Sequence, residues 1–371
     1  MRYKRFLILL ILSFFLILLN QCGNDDPGES GGENSNTLKE VTSFGTNPGN
    51  LKMYTYVPAS LTSSAPLVVV IHGSNMNAET MNKSTGWSHL ADQYQFYLAF
   101  AQQQSSNNTS LAWNWSDYTS SGDDQRGGSG EADSIKQIVD KMKSDYAIDS
   151  SKVFVTGMSS GGAMTAVMIS AYPDVFNAGA IMAGVPYMGY EFSSYCQTTY
   201  PAADSKVNRH YQIRTRAYCH NGTSFIYDAN AQSDFTSKTP TQWGDLVRGP
   251  YSHSGNYPKV LIIHGQSDST VNLNNANDLV RQWTNLHSTD QIAESSGTLS
   301  GSTNVTYNEY ENSGGIVVVK TYFVNGGAHS IFVDPSAGYG GYSHSNSPYY
   351  SSTVTGFHST YYIAKFFGIV P

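Results

Sequence analysis

The sequence is short of charge. Only 13% of its 371 residues are Asp, Glu, Lys or Arg, whereas about 25% is usual in soluble domains. The surface is therefore expected to consist mostly of Ser, Thr, Asn, Gln, Gly and Tyr, which is typical of an exported protein that meets neutral polymers or sugars. The net charge of −7 leaves no excess of basic residues, so we expect no nucleic-acid partner.

The sequence also lacks an apolar run of the roughly 20 residues that a membrane-spanning helix needs. Residues 6–19 are apolar apart from one serine, and they follow three basic residues. This pattern predicts a secretory or lipoprotein-type signal segment over residues 1–22. Cys22, directly after the apolar stretch, favours lipidation of that cysteine, with an ordinary secretory signal as the alternative. Residues 23–40 are interpreted as a flexible tether. We expect an extracellular or cell-envelope protein, which a lipid on Cys22 would anchor to a membrane.

Cysteine is scarce, with three in the chain. Apart from Cys22 an even pair remains, and in an exported protein this pair predicts a disulfide between Cys196 and Cys219. On the chain-entropy account such a bond stabilises the fold by roughly 3 kcal/mol. Neither cysteine follows a strand–turn pattern, which argues against a cysteine nucleophile. No zinc-ligand spacing, EF-hand pattern or Gly-rich phosphate loop is present, so we expect neither a metal ion nor a cofactor.

Strand and helix patterns alternate from about residue 50 onward, which predicts one catalytic domain over residues 41–371. Continuous apolar runs fit strands buried on both faces, and their alternation with helices predicts a mainly parallel sheet covered on both sides. The predicted strands are 66–71, 96–101, 152–156, 178–183, 259–263 and 316–324, and the predicted helices are 78–94, 131–146, 162–171, 274–286 and 353–367. Residues 187–255, rich in Tyr, Ser, Asn and Arg, interrupt this alternation and predict a lid-like or substrate-binding insertion.

One serine lies in a pattern that is typical of a catalytic nucleophile. Residues 157–161 read Gly-Met-Ser-Ser-Gly and lie between a predicted strand and a predicted helix. This G-x-S-x-G pattern indicates a nucleophile elbow, in which small residues allow the strand and the helix to approach closely. Ser159 is therefore the candidate nucleophile, with an ordinary solvent-exposed turn serine as the alternative.

A base and an orienting acid follow two later strands. Open α/β sheets place their sites at the carboxyl ends of the strands, and there lie Asp268, after strand 259–263, and His329, after strand 316–324. His329 would take the serine proton, and Asp268 would fix the tautomer of the imidazole. Three other aspartates follow core strands less closely: Asp245, Asp278 and Asp334.

Backbone N–H groups are expected to stabilise the oxyanion of an acyl-transfer reaction. One would come from Ser160, directly after the nucleophile, and the other from Ser74, in the loop after the first His-Gly pair. Loss of one such donor typically costs about 3–4 kcal/mol of transition-state stabilisation. His72 and His264 also end strands, but each is followed by glycine, and both are interpreted as structural.

From about residue 50 to 371 the chain resembles the poly(3-hydroxybutyrate) depolymerase-like esterases, which are related to the feruloyl and acetylxylan esterases of carbohydrate esterase family one. The matching stretches are PLVVVIHG (66–73), WNW (113–115), GSGEADSI (128–135), VFVTGMSSGGAMTAVM (153–168), YPDVFNAGAIMAGVPY (172–187), QWGDLVR (242–248), LIIHGQSDSTVN (261–272) and GGAHSIFVDP (326–335). The resemblance implies an α/β-hydrolase fold and a triad of Ser159, Asp268 and His329.

The chain departs from this family in places that bear on the substrate. The family often has cysteine directly after the first His-Gly and directly before Trp-Asn-Trp, where this chain has Ser74 and Ala112. Their joint absence is consistent with the loss of one disulfide. Residues 187–240, where a lid would select substrate, match poorly. Trp113 and Trp115 are candidates for an aromatic wall around an acyl or feruloyl group, with core or loop packing as the alternative.

The resemblance implies a serine carboxylic-ester hydrolase that forms an acyl-enzyme. The expected substrate is a poly(3-hydroxybutyrate)-type polyester or its oligomers, and the alternative is a feruloyl or acetyl ester on plant polysaccharide. A non-catalytic lipoprotein that binds a polymer is a hypothesis from another class, and a serine peptidase of the same fold is a third. The expected partners are an ester-containing polymer and, through the lipid anchor, a membrane.

Overall fold

The computed structural model describes residues 37–61, 63–116, 125–192, 209–211, 218–220, 225–227, 238–342 and 350–371. The signal segment 1–22 with Cys22, and also Cys196, lie outside these residues, and of Cys219 only the backbone is described. The signal, the lipidation and the disulfide therefore stay predictions. The tether was expected to end at residue 40, but Lys39 and Glu40 pair with a neighbouring strand.

Most of the strands belong to one ten-stranded sheet. In chain order the strands are β1 (Lys39–Val41), β2 (Lys52–Tyr56), β3 (Ala65–Ile71), β4 (Tyr97–Gln102), β5 (Ile148–Met158), β6 (Ala178–Met182), β7 (Tyr190–Phe192), β8 (Arg209–Tyr211), β9 (Tyr218–His220), β10 (Phe225–Tyr227), β11 (Lys259–Gly265), β12 (Ser295–Thr298), β13 (Val305–Glu311), β14 (Val317–Val324), β15 (Ile331–Val333) and β16 (Ser351–Thr353). The large sheet has the order β1-β2-β4-β3-β5-β6-β11-β14-β13-β12. Its six central strands, from β4 to β14, are parallel, and antiparallel strands flank them at both edges.

Helices cover both faces of this sheet. They are α1 (Ala78–Thr85), α2 (Trp87–Tyr94), α3 (Glu131–Asp145), α4 (Ser160–Ala171), α5 (Pro240–Arg248), α6 (Asn274–Leu286) and α7 (Ser359–Phe366). None of the helices in the described part of the chain is both long and apolar enough to cross a bilayer.

The continuous apolar run of β3 shows how the sheet divides the core. Leu67, Val69 and Ile71 pack on the face covered by α3, α4 and α6. Val68 and Val70 point to the other face and pack with α1, α2 and α7. Because side chains alternate along a strand, a strand buried on both faces is apolar at nearly every position. The predicted parallel sheet with two helical layers is confirmed.

Two predicted helices differ from the structure. Residues 78–94 form two helices, because Gly86 between them has φ of 71°, in the left-handed region that favours glycine. A Cβ at Gly86 would also collide with the carbonyl oxygen of Tyr339. The predicted helix 353–367 is shorter, since β16 and a turn occupy its first residues and only α7 is helical.

Residues 187–255, predicted as an insertion, contain a small sheet and a helix. Strands β7 to β10 pair antiparallel with one another. Helix α5 packs against α6, where Gln282 Nε2 donates to the Trp243 carbonyl (3.1 Å) and Arg248 donates to Asn285 Oδ1 (2.8 Å). Trp243 is only 1% exposed. Helix α5, near the end of this segment, therefore belongs to the domain core. The lid-like or substrate-binding role of the rest of the segment stays a prediction.

Candidate active site

The turn after β5 holds Ser159 in a strained conformation. Ser159 has φ of 58° and ψ of −122°, and such a backbone costs a non-glycine residue of order 1–3 kcal/mol. The turn is held by the Ser159 N–H, which donates to the Met182 carbonyl (2.9 Å), and by the Ser159 carbonyl, which accepts from Ala163 N–H (2.9 Å). A Cβ at Gly157 would collide with the carbonyl of Gly161. The small residues of the elbow are thus required by close backbone contact.

Asp268 and His329 meet beyond the carboxyl ends of β11 and β14. His329 Nδ1 lies 2.7 Å from Asp268 Oδ2, and the Asp268 side chain is 0% exposed. The second oxygen, Oδ1, accepts from the N–H groups of Thr270 and Val271, both at 2.8 Å. Burial raises the pKa of Asp268, but the hydrogen bond and charge of His329 and the Val271 N–H outweigh it, so this pKa lies below its usual value. The carboxylate is therefore ionised near neutral pH. It accepts a hydrogen bond from the Nδ1–H of His329, and this tautomer leaves the lone pair of Nε2 available.

The loop of Asp268 is tied to the loop of His329. Ser267 N–H donates to the Gly327 carbonyl (2.8 Å). Underneath, the fully buried His264 points Nε2 at the Val271 carbonyl (2.9 Å) and lies 3.5 Å from Asp268 Oδ2. Burial lowers the pKa of His264, so its ring is neutral. These contacts fit the structural role expected for His264 and hold the acid in place.

The two serines of the predicted oxyanion site are neighbours. Ser74 Oγ donates to Ser160 Oγ at 3.0 Å. Ser160 is the first residue of α4, and the first four N–H groups of a helix have no partner within it. The positive end of the helix dipole also lies there, which favours a developing negative charge. The backbone at this point can therefore bind an oxyanion.

A buried scaffold supports the loop that carries Ser74. His72 Nε2 accepts from Gln103 N–H (3.0 Å), so Nδ1 carries the proton and donates to the Gly73 carbonyl (2.8 Å). Burial lowers the pKa of His72 to about 4. Trp113 Nε1 donates to the His72 carbonyl (2.8 Å), and Trp113 is 2% exposed. His72 is thus structural, as expected, and Trp113 fits the packing alternative rather than a wall around substrate.

Trp115 differs from Trp113 in its surroundings. It is half-buried and packs against Ala163, Val185 and Val271. Ala163 lies in the first turn after the elbow, and Val271 lies in the loop of the candidate acid. Of the two tryptophans, the structure brings Trp115 beside these elements.

The rival aspartates have other partners. Asp245 pairs with Arg248 at 2.9 Å, and Asp278 pairs with Arg281 at 2.6 Å. Asp334 caps the short 3-10 turn that follows it. In the described part of the chain, no group of three His, Cys, Asp or Glu side chains is arranged to hold a metal ion.

Sequence reasoning missed one buried carboxylate next to the site. Glu131 is 1% exposed and accepts from the N–H of Asn114 (2.8 Å), 17 positions earlier in the chain. Both residues lie in stretches that carry the family resemblance, GSGEADSI and WNW. Spacing along the chain does not indicate that these stretches touch, because the contact is made only when β4 and α3 pack together.

Comparison with known proteins identifies the family. The profile of the family described as "Esterase PHB depolymerase" matches residues 51–198. The chain is 39% identical over 334 residues to poly(3-hydroxyalkanoate) depolymerase C of Paucimonas lemoignei, covering 90% of this chain and 70% of that protein. It is 32% identical over 251 residues to feruloyl esterase B of Neurospora crassa, covering 67% of this chain and 75% of that one.

A solved structure gives the same result for the fold. The acetyl xylan esterase from Aspergillus awamori superposes with a TM-score of 0.65 at 25% identity, covering 90% of this chain and all of that one. With the parallel sheet described above, this confirms the α/β-hydrolase fold. The chain belongs to the esterase PHB depolymerase family and is a carboxylic ester hydrolase.

Proposed function

We propose that the chain cleaves esters through an acyl-enzyme on Ser159, with His329 as base and Asp268 as orienting acid. The observation that carries this proposal is the 2.7 Å hydrogen bond between His329 Nδ1 and Asp268 Oδ2. It leaves Nε2 as the proton acceptor. The strained elbow presents Ser159 after the carboxyl end of β5, which is the same end of the parallel strands that β14 leads to. This is the division of roles that serine ester hydrolysis requires.

The reaction runs in two halves. Ser159 Oγ attacks the ester carbonyl carbon while its proton passes to His329 Nε2, and Asp268 stabilises the resulting imidazolium. The C–O bond to the alcohol breaks, and the alcohol takes the proton from Nε2. A water molecule then attacks the acyl carbonyl carbon and gives its proton to His329 Nε2. The bond between that carbon and Ser159 Oγ breaks, Oγ takes the proton back from Nε2, and the carboxylic acid is released. The N–H groups of Ser74 and Ser160 hold the negative oxygen in both tetrahedral intermediates.

The first choice of substrate is a short-chain hydroxyalkanoate polyester or its oligomers. This choice is supported by the similarity to poly(3-hydroxyalkanoate) depolymerase C, which covers 90% of the chain. The second is a feruloyl or acetyl ester on plant polysaccharide, which the similarities to feruloyl esterase B and acetyl xylan esterase favour. Trp115, beside the elbow helix and the acid loop, is proposed as the aromatic wall for the acyl group.

A panel of three substrates separates these choices. We expect release of 3-hydroxybutyrate from amorphous polyester or its oligomers, with little release of ferulate from feruloyl oligosaccharides or of acetate from acetylated xylan. The reverse pattern would make the polysaccharide ester the substrate. Trp115→Ala would lower kcat/KM for the preferred ester more than for a p-nitrophenyl acetate reference, and equal losses on both would remove Trp115 from the acyl pocket.

Covalent labelling tests Ser159 as the nucleophile. A fluorophosphonate ester forms a covalent bond with an activated serine, and mass spectrometry locates the adduct. We expect one adduct per chain at Ser159 and none in Ser159→Ala. An adduct at another serine, or labelling that Ser159→Ala retains, would remove Ser159 from the proposed mechanism.

Export and anchoring are proposed from residues 1–22, which lie outside the described residues. We expect processing directly before Cys22 and a lipid on that cysteine, which intact-mass measurement of the membrane fraction can detect. Cys22→Ala would move the protein out of that fraction. A processed but unlipidated wild type would make the segment an ordinary secretory signal.

A further inference from the structure

Glu131 is a buried carboxylate that the proposed triad does not use. It is the first residue of α3 and is 1% exposed. The chain near Gly49 covers it: a Cβ added to Gly49 would lie 2.6 Å from the Glu131 Cα, and Gly49 N–H donates to Ser134 Oγ (2.8 Å). A carboxylate at a helix N-terminus is stabilised by the helix dipole. The fold thus holds this carboxyl group at the start of α3, shielded from water.

Both oxygens of Glu131 bind groups that follow β4. Oε2 accepts from the N–H of Asn114 (2.8 Å), and Oε1 accepts from Asn114 Nδ2 (2.8 Å). Oε1 also accepts from the side-chain amide of Gln103. Hydrogen bonds to a charged acceptor are the stronger ones. The carboxylate therefore ties the end of β4 to the Trp-Asn-Trp segment 113–115.

The end of β4 and the segment 113–115 also hold the loop after β3 that carries Ser74. This loop, residues 72–76, is called the oxyanion loop below. The backbone N–H of Gln103 donates to His72 Nε2 (3.0 Å), and Trp113 Nε1 donates to the His72 carbonyl (2.8 Å). His72 is followed directly by Gly73 and Ser74. A continuous chain of direct contacts therefore leads from the Glu131 carboxylate to the loop that carries Ser74.

We propose that Glu131 is a positioning residue for the oxyanion site, which it holds through Gln103 and Asn114. The inference rests on the proposed function, because it assumes that the backbone N–H of Ser74 is an oxyanion donor. An oxyanion donor works only when it is held at the correct distance from the reacting carbonyl. A displacement of about 1 Å can cost about 100-fold in rate.

Glu131→Gln is the decisive variant, since it keeps the size of the side chain but replaces one acceptor oxygen with a donor. That NH2 group would face donors of Asn114 or Gln103. We expect kcat for p-nitrophenyl butyrate to fall about tenfold to a hundredfold, with KM changed far less. Asp133→Asn is the matched control: it lies in the same first turn of α3, but accepts from Gln137 and Tyr172. It should keep the wild-type kcat.

If the role of Glu131 is only structural, Glu131→Gln will lower the melting temperature but leave kcat at the wild-type value when it is measured well below that temperature. That result would overturn the proposal. If Glu131→Gln fails to fold, Asn114→Ala removes the hydrogen bond from Asn114 Nδ2 to Glu131 Oε1 and should also lower kcat, by a smaller factor. An unchanged kcat in folded Asn114→Ala would equally overturn it.

Amide hydrogen exchange separates this proposal from the proposed function. In Glu131→Gln we expect faster exchange at residues 112–115 and also at 72–76, and in Asp133→Asn at neither. Unchanged exchange at 72–76 would contradict the hold on the oxyanion loop. Because exchange needs no turnover, it tests Glu131 even if the wild type hydrolyses no ester, the result that would defeat the proposed function instead.

Discussion

Asp268 and His329, in the loops after the neighbouring strands β11 and β14, contact each other directly. Ser74, in contrast, is held indirectly, through a series of hydrogen-bonded residues. The acid–base half of the proposed site needs one hydrogen bond of 2.7 Å between two loops that are themselves joined. The oxyanion half depends on His72, Trp113 and Glu131, which come from three separate parts of the chain. A catalytic side chain can thus be positioned by the end of a strand alone, whereas a backbone N–H donor in a loop needs buried residues that hold the loop.

We therefore expect substitutions of Asp268 or His329 to abolish ester hydrolysis. Substitutions among the residues that hold Ser74 should lower its rate by smaller factors and also lower the free energy of unfolding. The largest expected effect is that of His329→Ala. It removes the only base of the proposed triad, and loss of a triad base lowers kcat by about 10⁶-fold. Hydrolysis of p-nitrophenyl butyrate measures it. A loss below about tenfold would mean that another group acts as the base.

Asp268→Asn comes next. The amide can donate to Nδ1 and so hold the wrong tautomer of His329, which typically lowers kcat about 10⁴-fold with the geometry intact. Asp278→Asn is the control, since Asp278 is also a buried aspartate but pairs with Arg281. We expect the control to keep kcat within a small factor. Equal losses in both variants would indicate general destabilisation rather than a role in catalysis.

The two halves also differ in the pH range in which protonation affects stability. His72 has a folded pKa of about 4, below the 6.5 of an exposed histidine, so between these values the unfolded chain binds more protons. The free energy of unfolding therefore falls as pH drops from about 6.5 to about 4, by roughly 3 kcal/mol from this group, and is not lowered further by it below that. The lowered pKa of Asp268 gives stability above its unfolded value near 3.8, which is lost only in stronger acid.

Denaturant unfolding at several pH values between 7 and 4 tests the first of these ranges. His72→Gln should flatten the decline of the unfolding free energy relative to the wild type, because its buried group no longer titrates. An identical decline in His72→Gln and wild type would contradict the buried neutral His72.

The smallest expected effect is that of Trp113→Phe. It removes the hydrogen bond to the His72 carbonyl and leaves that buried acceptor unpaired, a loss of about 1–3 kcal/mol. Trp283→Phe is a matched control, because Trp283 is equally buried and its Nε1 has no partner among the described residues. Thermal unfolding of both variants gives the difference. If Trp113→Phe is no less stable than Trp283→Phe, the indole hydrogen bond contributes nothing.

The same difference explains which parts of the fold and of the site could be predicted from the sequence. The elbow at Ser159 and the positions of Asp268 and His329 follow from local patterns, since each lies within a few residues of an apolar strand. The central parallel strands each contain a continuous apolar run, such as residues 153–155 in β5 and 260–263 in β11, and were found for the same reason. The role of Glu131 was not predictable, because its partners lie on other segments and meet it only through tertiary packing.

The edges of the sheet were missed for a related reason. β12 is polar and mostly exposed, and β13 is buried at only two positions, Val305 and Tyr310. Edge strands with few buried residues carry a weak alternating pattern. They are set by pairing instead, β13 with β14 and β12 with β13. The break at Gly86 likewise depends on the close approach of Tyr339, a contact across the fold that a helical pattern over 78–94 does not contain.

Hydrolysis of p-nitrophenyl butyrate by the wild type and by Ser159→Ala is the direct test of Ser159 as the nucleophile. We expect steady turnover by the wild type and a loss of several orders of magnitude in the variant, about 10⁶-fold where a triad serine is removed. Turnover that Ser159→Ala retains would contradict the proposed nucleophile. No turnover by either protein would contradict the proposed mechanism and leave the strained turn at Ser159 without a catalytic role.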